Sequence, residues 1–371
     1  MRIGILTLPF NNNYGGYLQA YALMTVLKQM GHQPTLIMRR HDKPVGSIEY
    51  KLKLGIKGLI KTILTFKKHQ IFYDVEYSFK TNGKEMLKFV NEYIQPQTPY
   101  LYDTNSLQEY CKGKFEAYIV GSDQVWRAIY VPDIKNYFLN FTEGWDVRRI
   151  SYAASFGTDR PEYTDDQIDS CRELLSHFDA VSVREQSGIE VFKKFDWIVK
   201  SVQYVLDPTM LLSAKDYSKK IPVKKAKSAD KIFYYVLDRD EKIDEALSKA
   251  SSLLEKELYG ISNIQKVNGI LPSIEEWLTN IRDAEFVVTD SFHGMVFSII
   301  FQKPFVVCVN KDRGSERFVS LLKEFGLENR ILTKEQPIDS IIKNSIDWNS
   351  VNSIIDKEKE KSLLYLRENL K

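Results

Sequence analysis

None of the 18 glycines forms a G-x-G, and no G-x-x-x-x-G-K-[ST] occurs in the 371 residues. That removes the usual dinucleotide fingerprint and the P-loop, which both need glycine to bring backbone amides onto a phosphate. The five histidines, at 32, 41, 69, 177 and 293, include no pair at helix-face spacing, and neither H-E-x-x-H nor G-x-S-x-G is found. Zincin and serine-hydrolase chemistry lose their support. Cys111, Cys171 and Cys308 lie far apart without a C-x-x-C, so a disulfide framework and a zinc site are not expected, and the reading calls for no cofactor and no metal. Long apolar runs are missing too. The start, MRIGILTLPF, reaches Asn11, Asn12 and Asn13 after one short stretch and reads as the first strand of a cytoplasmic protein. Charge of one sign is also scarce. With 52 Lys and Arg against 49 Asp and Glu, a net +3, a dedicated nucleic-acid binder is not expected.

What is present suffices for two packed cores: 43% apolar residues, 12% aromatic, and a length of about two domains at roughly 150 residues each. Residues 2–8 read as a buried strand, then a glycine loop, then a helix with Ala20, Leu23, Met24, Leu27 and Met30 at helical spacing, ended by Gly31. A strand at 34–38 follows, and 42–115 reads as a basic insertion. Strands at 117–120, 149–154, 180–183 and 202–206, with helices at 164–178 and 185–195, complete an N-terminal α/β domain over 1–215. The polar, Lys-rich stretch 213–230 reads as a linker. Beyond it strands at 231–237, 262–267, 285–289 and 304–309 alternate with helices at 241–257, 273–282, 293–302 and 315–325, giving a Rossmann-like domain over 216–349. Residues 350–371 read as a helix packing back on the first domain. The expected fold is α/β, two Rossmann-like domains facing a cleft.

Polar residues cluster where these strands end. EFVVTDSFHGMVFSIIF, residues 285–301, is a strand, a break of small polar residues and an apolar helix. Ligands of open α/β sheets bind at that edge, and a helix N-terminus offers free N–H groups to an anion. Ser291 can cap or donate a hydroxyl, His293 can serve as acid, base or anion donor, and Gly294 admits a close approach to backbone. In NYGGYLQAYAL, Gly15 and Gly16 expose backbone amides, while Asn13, Tyr14 and Gln19 add groups suited to a sugar; Tyr17 and Trp126 are further stacking candidates. VGSDQVW contributes Gly121, Ser122, Asp123 and Gln124; SYAASFG contributes Ser155; VSVRE contributes Arg184, as an anion clamp or a salt bridge to Glu185. KDRGSERF places Arg313 and Arg317 as a second clamp. Asp238 and Asp240 match a metal-binding D-x-D, but their position before a helix favours capping. The segment 51–70 carries six lysines, no acid and an apolar stripe (Leu52, Ile56, Leu59, Ile60, Ile63, Leu64). It is either a helix packed on the protein with a wet basic face or an interfacial helix on an anionic membrane.

In their order along the chain, NYGGYLQAYAL, VGSDQVW, SYAASFG, VSVRE, VLDPTML, TDSFHG and RGSERF resemble the polysaccharide pyruvyl transferase family. The resemblance implies a GT-B-like two-domain fold and transfer of the pyruvyl group of phosphoenolpyruvate onto sugar hydroxyls of a cell-surface polysaccharide or its precursor, as a ketal. It implies His293 and Arg184 as catalytic residues and a glycan acceptor, which on a lipid carrier would suit peripheral contact of 51–70 with the inner membrane face. One departure is Ser291, where family members often carry Arg; Arg313 or Arg317 would then supply that contact. The alternatives are a GT-B glycosyltransferase using a nucleotide sugar and a non-catalytic glycan-binding protein.

Overall fold

A computed structural model describes residues 1–40, 82–158, 162–222, 224, 226–262, 269–309 and 315–371. The basic segment 51–70 and Arg313 lie outside the described residues, as does all but Ser262 of the strand expected at 262–267. The first half contains β1 (Arg2–Leu6), α1 (Tyr14–Gln29), β2 (Gln33–Ile37), α2 (Lys84–Tyr93), α3 (Thr104–Cys111), β3 (Ala117–Val120), β4 (Arg148–Ser151), α4 (Asp165–Leu175), β5 (Val181–Val183), α5 (Gln186–Lys194), β6 (Val202–Tyr204) and α6 (Ala214–Lys220). The second contains β7 (Ile232–Val236), α7 (Glu241–Leu254), β8 (Leu258–Ser262), α8 (Ile274–Asp283), β9 (Phe286–Thr289), α9 (Phe292–Ile300), β10 (Phe305–Val307), α10 (Glu316–Glu324), α11 (Ile338–Lys343) and α12 (Trp348–Asn369).

All strand pairs among the described residues are parallel. One sheet has the order β2-β1-β3-β4, and parallel bridges at Ile150–Ala180 and Ala154–Val183 continue it to the β5–β6 pair. The other has the order β10-β9-β7-β8. Each therefore starts at an inner strand, steps outward once, and then reverses, between β1 and β3 and between β7 and β9. Such reversals open a crevice at the carboxyl ends of the strands.

Burial on both faces explains the short apolar strands: every residue of β3 and of β9 is buried. The helices after the reversals are interior as well. Twelve residues of the 16-residue α1 are buried, and in α9 all but Ile300. The halves share one apolar cluster. Within it the Tyr14 ring of α1 stacks on Trp277 of α8 at 5.1 Å and 7°, and Trp277 meets Tyr235 edge-on at 5.3 Å. The C-terminal helix α12 lies on the first sheet, where Tyr365 Oη donates to the Ser151 carbonyl at 2.8 Å and Leu206 N–H to Ser362 Oγ at 2.9 Å. No helix among the described residues is long and apolar enough to cross a membrane.

Three local expectations shift. Glu255 takes a left-handed conformation (φ 53°) that ends α7 at Leu254, so the next strand begins at Leu258 rather than 262. Ala153 (φ 49°) turns the chain after Ser151, and β4 is shorter than 149–154. The linker reading of 213–230 misses α6, which Ser213 caps and whose one large apolar residue, Tyr217, is buried. Residues 215 and 216 fall inside that helix.

Because Trp277 joins rings from both halves, Trp277→Ala should lower the unfolding free energy by about 3–5 kcal/mol in a denaturant titration. A loss below about 1 kcal/mol, the scale of an ordinary point mutation, would show that the stack holds nothing together.

Candidate active site

Each site segment leaves the carboxyl end of a strand: Gly121–Gln124 after β3, Tyr152–Ser155 after β4, Arg184 and Glu185 after β5, Asp207 after β6, and Asp290–His293 after β9. The turn after β3 needs glycine, since Gly121 has φ 127° and a Cβ there would lie 2.1 Å from the Tyr152 carbonyl oxygen. This turn carries Ser122 and Asp123 inward.

The centre is a buried ionic network. Arg184 Nη2 donates to Asp123 Oδ1 and Nη1 to Asp207 Oδ2, both at 2.8 Å, with all three side chains at most 3% exposed. His293 Nε2 faces the same Asp207 oxygen at 3.6 Å, beyond hydrogen-bond range. Ser122 Oγ donates to the Ala153 carbonyl at 3.1 Å and to Asp207 at 3.3 Å. Glu185 Oε1 accepts from Phe156 N–H at 3.1 Å, and its Oε2 lies 3.8 Å from Arg184 Nε. The guanidinium carbons of Arg184 and Arg317 stand 4.7 and 5.5 Å from the Phe292 ring centre.

Burial opposes charge throughout, yet Arg184, with help from His293 and Arg317, holds the Asp123 carboxyl below the usual carboxylate range. Asp207 is likewise held low against burial, by His293 and Arg184. Glu185 goes the other way, as burial outweighs the pull of Arg184. Burial first, then the neighbouring Arg184, pushes Arg317 down to about 10. Gln124 Oε1, Arg184 Nε, Glu185 Oε2 and His293 Nε2 are buried and form no hydrogen bond within the chain. Such groups cost about 1–3 kcal/mol each when left unpaired.

Sequence reasoning placed His293, Arg184, Ser122, Asp123, Gln124 and Arg317 here; the fold gathers all but Gln124, whose amide oxygen lies against Gly157. Arg184 is engaged differently from a bare anion clamp, because two carboxylates hold its amino groups. Gly15 belongs to the site for a reason of packing: a Cβ on it would lie 1.9 Å from His293 Nδ1, so only glycine lets the N-terminus of α1 meet that of α9. Asn13 caps α1 by accepting from Gly15 N–H at 3.2 Å, and the Gly16 N–H bonds the Asn13 carbonyl. Ser291 caps α9 at Gly294 N–H, and Gly294 packs on Thr289.

Other expectations are corrected. Tyr14 is sealed against Trp277 with its hydroxyl on the Pro272 carbonyl, so it has no face for a sugar. Tyr17, stacked on Phe10, and Trp126, stacked on Phe138, are equally buried. Gln19 is a strut: its amide donates to Thr7 Oγ1 and the Gly16 carbonyl while Oε1 accepts from Ser122 N–H. Ser155 Oγ accepts from Gly157 N–H and so shapes the turn. The capping favoured for the Asp238–Asp240 pair is found at Asp240, which accepts from Ile243 N–H at 2.9 Å to start α7. Two acids escaped notice. Asp290 accepts Leu237 and Asp238 N–H at 2.6 and 2.7 Å, tying β9 to the end of β7. Asp207 sits in VLDPTML, where Asp-Pro reads as a turn; its place after a strand was the available signal.

A family model described as polysaccharide pyruvyl transferase matches residues 13–312, which span this site apart from Arg317. The chain belongs to the polysaccharide pyruvyl transferase family. It is therefore a member of an enzyme family of polysaccharide biosynthesis. Among solved structures it is similar to the UDP-GlcNAc 2-epimerase from Methanocaldococcus jannaschii, with 10% identity over 97% of this chain and 94% of that one at a TM-score of 0.52. A putative UDP-N-acetylglucosamine 2-epimerase from Listeria monocytogenes is similar at 10% identity, 97% and 91% coverage and a TM-score of 0.51. These likenesses show the fold, which is GT-B-like. A search of curated proteins finds no match.

Arg184→Met should destabilise this pyruvyl transferase family member by about 3–5 kcal/mol at neutral pH, because it strands Asp123 and Asp207 as unpaired buried charges. Both carboxyls have folded pKa values below their unfolded value of about 3.9, so their pairing stabilises above that pH and fades as pH falls through the folded values. The gap between variant and wild type should thus narrow on acidification in denaturant melts. An equal gap at about pH 7 and about pH 2 contradicts the pairing.

Proposed function

We propose that the protein transfers the pyruvyl group of phosphoenolpyruvate to two hydroxyls of a sugar in a cell-surface polysaccharide or its precursor. The observation that carries this reading is a buried ionic cluster, in which Arg184 Nε, Glu185 Oε2 and His293 Nε2 form no hydrogen bond within the chain, at the abutting N-termini of α1 and α9. Phosphoenolpyruvate carries a phosphate and a carboxylate, and two helix N-termini offer N–H donors with partial positive charge to such a ligand. Arg317 is a second cation of the cluster, and the charge of Arg184 is largely met by Asp123 and Asp207. Ser122, Asp123, Gln124, Gly16, Ser291 and Arg313 remain the proposed binding residues around it.

In the proposed reaction the methylene carbon of the donor takes a proton and one sugar hydroxyl bonds to the central carbon. The carbon–oxygen bond to phosphate then breaks, the electron pair leaving with phosphate, and the second hydroxyl closes the ketal. Of the two hydroxyl protons, one is matched by the new methyl hydrogen and the other by the phosphate released. His293 is the proposed acid and base, and general acid–base help of this kind contributes about 10²–10⁴-fold. No redox step occurs. A groove of about 440 Å³ between α5 and α10, lined by Gln186, Ser187, Glu190, Lys194 and Glu316, begins two residues after Arg184 and has groups able to bond sugar hydroxyls. The six lysines at 51–70 suit a lipid-linked acceptor at the cytoplasmic face of a membrane.

Phosphate release from phosphoenolpyruvate with a glycan acceptor tests the reading. His293→Ala should fold and lose about 10²–10⁴-fold in rate. Phosphoenolpyruvate should raise the melting temperature, a ligand at 100 times its dissociation constant adding about 2.7 kcal/mol. Stabilisation by UDP-sugars alone would point to a nucleotide-sugar donor instead.

A further inference from the structure

Asp207 is 2% exposed and uses both oxygens. Oδ1 accepts from Thr209 N–H at 3.0 Å and Thr209 Oγ1 at 2.7 Å. Oδ2 accepts from Arg184 and Ser122 and faces His293 Nε2 at 3.6 Å. His293 comes from the other half of the chain, so this carboxylate spans the seam between the two sheets. The opposite nitrogen, Nδ1, lies against the first turn of α1 at Gly15. A Cβ on Gly16, one residue on, would meet nothing closer than Asn13 Nδ2 at 4.0 Å. One edge of the imidazole therefore borders a fixed anion and the other a notch of bare backbone.

We propose that Asp207 is the positioning residue for His293: its carboxylate, facing Nε2 at 3.6 Å, favours the proton on that nitrogen by its charge, so that Nδ1, at the Gly15–Gly16 notch, is the nitrogen that exchanges a proton with the reactants. This rests on the assignment of His293 as acid and base. A carboxylate behind an imidazole sets its tautomer and ring plane and stabilises the imidazolium, without taking the proton itself. The proton passes between Nδ1 and the reactant, and the Nε2–H stays in place. Arg184 then keeps Asp207 ionised and oriented. The other charges around the imidazole are Asp123 after β3, Glu185 after β5 and Arg317 on α10; the Asp290 carboxylate is bonded to the end of β7.

The experiment compares wild type, Asp207→Asn and Thr209→Val as full chains, by rate against pH and by 15N NMR of His293, its signals identified by their loss in His293→Gln. Asp207→Asn should lower kcat by about 10²-fold with KM for phosphoenolpyruvate nearly unchanged. A lost anion beside the imidazole should also move the pH limb that reports His293 downward by about one unit or more. Thr209→Val keeps the charge but loosens the carboxylate, and should move both readouts the same way by less. Wild-type His293 should show the Nε2–H tautomer when neutral, and Asp207→Asn should lose that preference. A fallen kcat with an unmoved limb, or an Nδ1–H tautomer in the wild type, overturns the proposal. If Asp207→Asn fails to fold, an unmoved Thr209→Val profile overturns it equally. Loss of turnover on phosphoenolpyruvate in the wild type sinks the proposed reaction and leaves the NMR result to judge Asp207.

Discussion

A guanidinium with no exposed side-chain surface needs its charge met on the spot, and Arg184 meets it with Asp123 on one amino group and Asp207 on the other. Desolvating three such ions costs several kcal/mol per ion, so the arrangement is a poor source of stability by itself. What it supplies is geometry. Asp123 follows β3, Arg184 follows β5 and Asp207 follows β6. Three strand ends are therefore held in one register, and the last of them faces His293 of the other sheet. Ser122 and Thr209 complete the frame with hydrogen bonds to Asp207, and Gln19 holds the Ser122 N–H.

The second organising contact follows from the matching strand orders of the two sheets. Each sends an interior helix from the strand beside its reversal, and the two helices meet end to end at Gly15 and His293. One helix N-terminus carries about half a positive charge, screened where water reaches it. Two of them facing one buried site concentrate that field. A side chain larger than hydrogen at position 15 would push the helices apart, which ties the spacing of the dipoles to a single glycine.

Much of this was legible in the sequence because strand, break and helix alternate cleanly: TDSFHG, VGSDQVW and VSVRE each read as a strand end, and their convergence follows from parallel topology. Partnership was not legible. Arg184 can bond Glu185 next to it in sequence, yet its short bonds go to carboxylates 61 and 23 residues away. Asp207 was hidden by the proline after it, since Asp-Pro reads as a turn wherever it occurs. Tyr14 misled for a different reason: at the mouth of a glycine loop an aromatic suggests a stacking platform, and only the position of Trp277 in the fold shows the ring already covered. Tyr217 alone could not signal α6, because one apolar residue has no period.

The charge count decides what kind of anion site this is. Asp123 and Asp207, both held ionised, balance Arg184 and Arg317, while Glu185 is shifted toward its neutral form. The described cluster therefore carries little net positive charge of its own, and a rigid ion-pair sink for a doubly charged ligand is not what the fold builds. Under the proposed reading its attraction for an anion would reside in the helix dipoles and in the shifted Arg317. Dipoles cost no reorganisation when a ligand leaves. For the proposed reaction, a site balanced in this way would release its product more readily than one lined with free arginines, which suits group transfer better than storage of a donor.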